Sequence, residues 1–237
     1  MNVANISEMW DRLTGTQTDP PRWLIVVTAL LALAAVLSGG VWRIVRNAVT
    51  IAHEGGHGLV ALLSGRRLDG IRLHSDTSGL TVSRGKPHGP GMVLTAAAGY
   101  TAPPLLGLAG AALLAAGHIT ALLWGATALL LVMLVMIRNA YGALTVVLTG
   151  ALFLLVSWLT KAQVQAAFAY LVVWFLLAGG ARPVAELQRS RRRDRSGTSD
   201  ADQLARLTRT PAALWLLFFY VIAICSLVGG GRWLLAR

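Results

Sequence analysis

Seven stretches of this chain are apolar over about the length that a helix needs to cross a bilayer, and no other feature restricts its fold as much. Crossing ~30 Å of hydrocarbon takes roughly 20 apolar residues. Runs near 22–42, 46–65, 91–115, 118–137, 139–159, 164–180 and 211–231 meet or approach that length. Backbone inside hydrocarbon must satisfy its own hydrogen bonds, so runs of this kind become helices. Charged residues make up only 13% of the 237, and mean hydropathy is +0.62; a soluble chain carries roughly a quarter charged. The expectation is an all-α polytopic membrane protein of about seven transmembrane helices. Residues 22–237 form one membrane-embedded domain, preceded by a cytoplasmic N-terminal segment, 1–21. That segment lacks the apolar core of a cleavable signal peptide.

Two stretches interrupt the apolar pattern. Residues 66–90 alternate Ile71, Leu73, Leu80 and Val82 around Ser75-Asp76-Thr77-Ser78-Gly79, which predicts a short β-hairpin with Asp69 and Asp76 as turn residues. Residues 182–210 are hydrophilic and carry Arg189, Arg191, Arg192, Arg193 and Arg195. The formal charge of +11 falls between apolar runs and is accompanied by no nucleic-acid motif. It therefore reads as the positive-inside bias of cytoplasmic loops, with anionic-lipid contact a secondary role for the arginine run. Both loops are expected in the cytoplasm, four runs apart. Counting crossings then places the N-terminus inside, the C-terminus outside, and Arg43 and Arg46 on the outer side. Heavy use of Ala, Gly and Arg suggests a bacterial plasma membrane. The one cysteine, Cys225, excludes an intramolecular disulfide or a Cys-based zinc site.

One apolar run contains chemistry. In Val49–Leu63, His53 and His57 stand four residues apart with Glu54 between them: His53-Glu54-Gly55-Gly56-His57. On a helix, positions four apart share a face, so two imidazoles can bind one Zn²⁺. A carboxylate at Glu54 can take a proton from water whose pKa the metal has lowered. Two histidines and a glutamate are costly in a membrane helix unless paired or metal-bound. His57 lies nine residues before Arg66, which at 1.5 Å per residue is roughly 13 Å below the basic end of the run. A third histidine ligand of the extended motif would need Gly at position 60 and His at position 63, where Val60 and Leu63 stand. Glu8 precedes the motif near the terminus, and Glu186 remains possible; an aspartate is the favoured third donor.

Ala52-His53-Glu54-Gly55-Gly56-His57, followed by Ser64-Gly65 and Ile71-Arg72-Leu73, resembles the site-2 protease family of intramembrane zinc proteases. Ala98-Gly99-Tyr100-Thr101-Ala102-Pro103, Arg138-Asn139 and Ser199-Asp200-Ala201, with Leu207-Thr208 and Pro211-Ala212-Ala213-Leu214-Trp215 after them, resemble its compact branch. The resemblance implies hydrolysis of a peptide bond in a membrane-spanning substrate, with an aspartate from a later segment as third zinc ligand. The Ser-Asp-Ala match implies Asp200, with Asp202 the second choice and Asp194 the third. It also implies that the hairpin holds an unwound substrate segment by strand addition.

Other readings keep the same residues. A proteolytically silent scaffold or chaperone could retain the motif, and a metal transporter would need ionisable residues spread over several segments, which this chain does not have. His74, His88 and His118 read as hairpin or interfacial residues. Arg138-Asn139 reads as an interface anchor or a polar partner of the site, and Gly99–Pro104 as a break or a packing kink in its helix. Partners are a membrane-protein substrate and the lipid bilayer, with no nucleic acid. Substrate identity and oligomeric state are not readable from the residues.

Overall fold

The computed structural model describes residues 15–193 and 197–236. Glu8, Asp194, Arg195 and most of the N-terminal segment lie outside the described residues.

Each apolar run becomes helix. α1 (Arg22–Leu37) and α2 (Gly39–Leu63) meet at Ser38 with a bend of 103°. Ser38 is extended at φ −70°, ψ 121°, and its hydroxyl accepts from Val41 N–H, so it ends one helix and caps the next. After a hairpin of β1 (Arg67–Leu73) and β2 (Gly79–Arg84) come α3 (Pro90–Ala115), α4 (Ile119–Met136), α5 (Ala140–Leu159) and α6 (Ala162–Gly179). The amphipathic α7 (Ala181–Arg193), the short α8 (Asp200–Thr208) and α9 (Ala212–Leu235) complete the described chain.

Among the described residues, five helices are long and apolar enough to span by themselves, and the bent α1–α2 pair raises the total to at most six. The structure therefore corrects the predicted placement of the chain ends. Arg22 Nη2 donates to the Leu235 carbonyl at 3.4 Å, so the start of α1 and the end of α9 lie together. Gln17 N–H donates to Gly117 O beside the α3–α4 turn, which is the opposite end of α3 from the hairpin. Seven crossings would separate the two ends, whereas an even number returns them to one face. Arg46 moves as well: it sits 3.4 Å from Glu186 at the start of the basic α7, not across the membrane from it.

α3 is the central helix and packs on α2, α6 and α9. It is uninterrupted: Pro103 and Pro104 are buried within it, so of the two alternatives for Gly99–Pro104, a break or a packing kink, the break is absent. Small residues permit this close contact, as membrane helices without a hydrophobic drive between them require. A Cβ on Gly107 would lie 2.9 Å from Leu177 N, and one on Gly56 would lie 2.4 Å from Ala102 Cβ.

The hairpin packs on α2 and is closed on one edge. Ile71, which is 2% exposed, packs on Gly58 of α2. Leu80 and Val82, on the opposite face, are exposed. At the tip, Thr77 is left-handed at φ 67°, and Asp76 Oδ1 accepts from Ser78 N–H at 2.9 Å, as expected of a turn aspartate. Asp69 is instead a strand residue beside the Leu68/Gly70 register shift, and it pairs with Arg84 at 2.7 Å.

On the outer edge of β1 the α4–α5 connector acts as a third strand. Arg138 N–H donates to Ile71 O at 2.9 Å, and Ile71 and Ile137 form a parallel bridge. The Asn139 side chain imitates a peptide, accepting from Leu73 N–H at 3.2 Å and donating to Leu73 O at 2.7 Å. Ile71 and Leu73 thus turn their main-chain groups away from β2. Their register partners Thr81 and Gly79 must then direct theirs to the other side, the free edge of the sheet.

Candidate metal centre

α2 supplies the first half of the site. His53 and His57 lie one turn apart, with Nε2 atoms 3.1 Å from each other. His57 Nδ1 lies 2.7 Å from the Thr95 carbonyl of α3. A carbonyl only accepts, so Nδ1 carries the proton and Nε2 keeps its lone pair, the tautomer that a metal ligand needs. His53 is held through its ring: Tyr100 of α3 meets it edge-on at 4.7 Å and stacks on Phe219 of α9 at 5.0 Å.

α3 can pass this close only because position 99 is glycine. A Cβ there would stand 2.3 Å from His57 Nε2 and 2.6 Å from His53 Nε2. The sequence offered Gly99 only within a stretch that resembles the family and as part of a helix break or kink. Its role is to leave space in front of both imidazoles, which no propensity scale reports.

α8 supplies the second half. Asp200 Oδ2 is 3.3 Å from His53 Nε2 and 3.3 Å from His57 Nε2. Ser199 caps the helix and Asp202 closes the capping box, the Ser199 hydroxyl meeting Asp202 Oδ2 at 2.5 Å. Arg191 of α7 grips Asp202 Oδ1 at 2.6 Å. Partial burial opposes ionisation of Asp202, yet Arg191 and Ser199 lower its pKa. Asp202 therefore lies in the frame that holds Asp200 and not among the three convergent groups.

The three donor atoms suit zinc. Nitrogen and oxygen ligands at ~2.0–2.1 Å in a tetrahedron are separated by about 3.3–3.4 Å. The observed separations are 3.1, 3.3 and 3.3 Å, close to one face of such a tetrahedron. Among the described residues His53, His57 and Asp200 form the group able to hold an ion. Glu186 is elsewhere, accepting from Trp42 Nε1 at 2.8 Å and pairing with Arg46 and Arg182. His74 is at the hairpin tip and His118 at the α3–α4 turn, so neither joins the site.

Glu54 is only 4% exposed and faces the hairpin. Thr81 Oγ1 donates to its Oε2 at 2.6 Å, and Gly79 lies so close that a Cβ would stand 2.4 Å from Glu54 Cγ. Neither Thr81 nor Gly79 was singled out by sequence for this contact, because the strand alternation fixes a face but not what the face meets.

No curated protein and no solved structure matches the chain. The profile of the Peptidase M50B-like family matches residues 26–230, from α1 through α9. With its apolar helices and this match over most of its length, the chain is an integral membrane protein that belongs to the Peptidase M50B-like family, a family of site-2 proteases.

Proposed function

We propose that the protein is an intramembrane zinc endopeptidase that hydrolyses peptide bonds of membrane-spanning substrates, with His53, His57 and Asp200 as zinc ligands and Glu54 as general base. The observation that carries this reading is the 3.1–3.3 Å triangle of two Nε2 atoms and one Oδ2, one residue along the helix from a buried carboxylate. Bound zinc supplies an electrophile for the scissile carbonyl and acidifies water to near neutral pH. Glu54 takes one proton from the attacking water as its oxygen joins the carbonyl carbon. It then delivers that proton to the departing amide nitrogen, so that water is added across the C–N bond. Thr95 keeps His57 in the metal-binding tautomer, and Tyr100 keeps the His53 ring in place.

The substrate must present an extended backbone, because a helical peptide bond is shielded by its neighbours. The free edge of β2, where Gly79 and Thr81 direct main-chain groups outward beside Glu54, suits an added strand. Arg66, Arg67 and Arg84 stand in or against the hairpin, Arg138 bonds to its edge, and Arg189, Arg191, Arg192 and Arg193 stand in α7, whose Arg191 reaches Asp202 beside the site. By the positive-inside bias the hairpin end faces the cytoplasm of a bacterial cell, and both ends of the described chain face out.

The test is incubation of the purified full chain with a panel of synthetic transmembrane-helix peptides, read by mass spectrometry. Wild-type protein is expected to cut a subset of them. Glu54→Gln is expected to lose roughly a hundredfold to ten-thousandfold in rate while keeping its metal, the contribution of a general base. Equal cutting by wild type and Glu54→Gln would contradict the reading.

A further inference from the structure

We infer that Thr81 is a positioning residue for the Glu54 carboxylate, and that the Ile137–Asn139 connector keeps Thr81 in that position through the hairpin. The inference rests on the protease reading and names a part of that site which the zinc motif does not contain.

The geometry forms a continuous chain of contacts. Thr81 Oγ1 lies 2.6 Å from Glu54 Oε2 and 3.2 Å from Glu54 O, so one hydroxyl meets both the side chain and the backbone of the same residue. Gly79 lies against the other side of the carboxylate; a Cβ there would be 2.5 Å from Oε1 and 2.6 Å from Cδ. These two β2 residues are the register partners of Ile71 and Leu73. Ile71 and Leu73 are the two β1 residues that the connector holds, through Arg138 N–H and the Asn139 amide. A second tie runs from Thr50 Oγ1 on α2 to Thr77 O at the hairpin tip, 2.9 Å. The hairpin is thus fixed at its tip and at its outer edge, and its inner face meets Glu54. A buried carboxylate adjacent to a metal ligand needs such a donor, because a short side chain with several rotamers loses reach when nothing fixes its carboxyl.

This arrangement also connects the substrate with the base. An added strand on β2 would bond to the main chain of Gly79 and Thr81, the residues whose other contacts fix Glu54. Occupancy of the edge would therefore set the base at the moment when a peptide bond is present.

The experiment uses the full chain with Thr81→Val, Thr81→Ser, Glu54→Ala and the Thr81→Val/Glu54→Ala pair. Valine keeps the β-branched shape that suits a strand and removes the hydroxyl. Thr81→Val is expected to keep full zinc content and an unchanged KM while kcat falls about tenfold to a hundredfold, the range of a hydrogen bond to a charged group. Thr81→Ser is expected to restore most of the rate. Amide exchange of β2 gives a readout without activity. Thr81→Val and Glu54→Ala should each speed exchange, and the double variant should exchange no faster than either single one. An unchanged kcat in Thr81→Val, or a loss of zinc with it, would overturn the inference, as would additive exchange effects. A wild type without peptidase activity would remove the protease reading. The exchange comparison would then decide alone, non-additivity supporting Thr81 as the holder of Glu54 and additivity overturning it.

Discussion

The two halves of the candidate metal centre are held by different physics. His53 and His57 stand on a 25-residue helix pressed against α3, where Gly56, Ala98, Gly99 and Ala102 leave no room for an added methyl at positions 56 and 99. Asp200 stands at the first turn of a nine-residue helix, kept in place by a capping box, by one arginine from α7 and by the fully buried Ala201 and Leu204 that follow it. Packing of the first kind has two outcomes, fitted or displaced, because interiors are close to crystal density. Polar capping of the second kind gives way in steps of about 1 kcal/mol. The histidine half is therefore fixed by close helix packing, and the aspartate half by a small buried cluster together with polar capping.

That contrast can be broken most severely at Gly99. Gly99→Ala sets a methyl within 2.3 Å of His57 Nε2, and the expected outcome is loss of zinc from a protein that keeps its helical circular dichroism. Metal analysis after dialysis checks it. Gly56→Ala forces α2 from α3, with a cost of about 1–3 kcal/mol for overpacking, read as a lower melting temperature in detergent.

Effects on the other half should be graded. Ser199→Ala removes the cap of α8 and is expected to destabilise it by ~1 kcal/mol, weakening zinc retention without abolishing it in a chelator competition. Asp202 has a pKa lowered by Arg191 and Ser199, so its contribution is present above the ordinary carboxylate range and is lost as pH falls through its folded value. Zinc retention in Asp202→Asn should accordingly vary less with acid than in wild type. At the small end, Arg84→Ala breaks an exposed pair with Asp69 and is expected to leave stability and metal content unchanged.

The same contrast explains what was legible in the sequence. The spacing of His53 and His57 encodes one face of one helix, so half of the donor set could be read without any tertiary information. Asp200 is 143 positions from His57 in the chain, on a hydrophilic segment that hydropathy assigns to a loop. Only resemblance pointed to it, because nothing local says that α7 and α9 fold this segment back against α2. The roles of Gly99, Gly79 and Thr81 were invisible for the same reason: they are distances to other elements. The 103° bend at Ser38 was not anticipated, because hydropathy counts apolar residues and does not register a bend. Ser38-Gly39-Gly40 was the available signal, being a helix cap followed by two poor helix formers. Arg138-Asn139 was open between anchor and polar partner; in the structure it serves the hairpin edge, with the Asn139 amide acting as a length of strand.

The central claim is that one zinc ion is held jointly by the two halves, and zinc content of the detergent-purified full chain tests it most directly. Wild type, His53→Ala, Asp200→Ala and Asp202→Ala would be compared in parallel after metal is supplied and excess removed. The account predicts about one zinc per chain in wild type, none in His53→Ala, a near-complete loss in Asp200→Ala, and partial retention in Asp202→Ala. Zinc retained in Asp200→Ala but lost in Asp202→Ala, or a folded wild type that takes up no zinc, would contradict it.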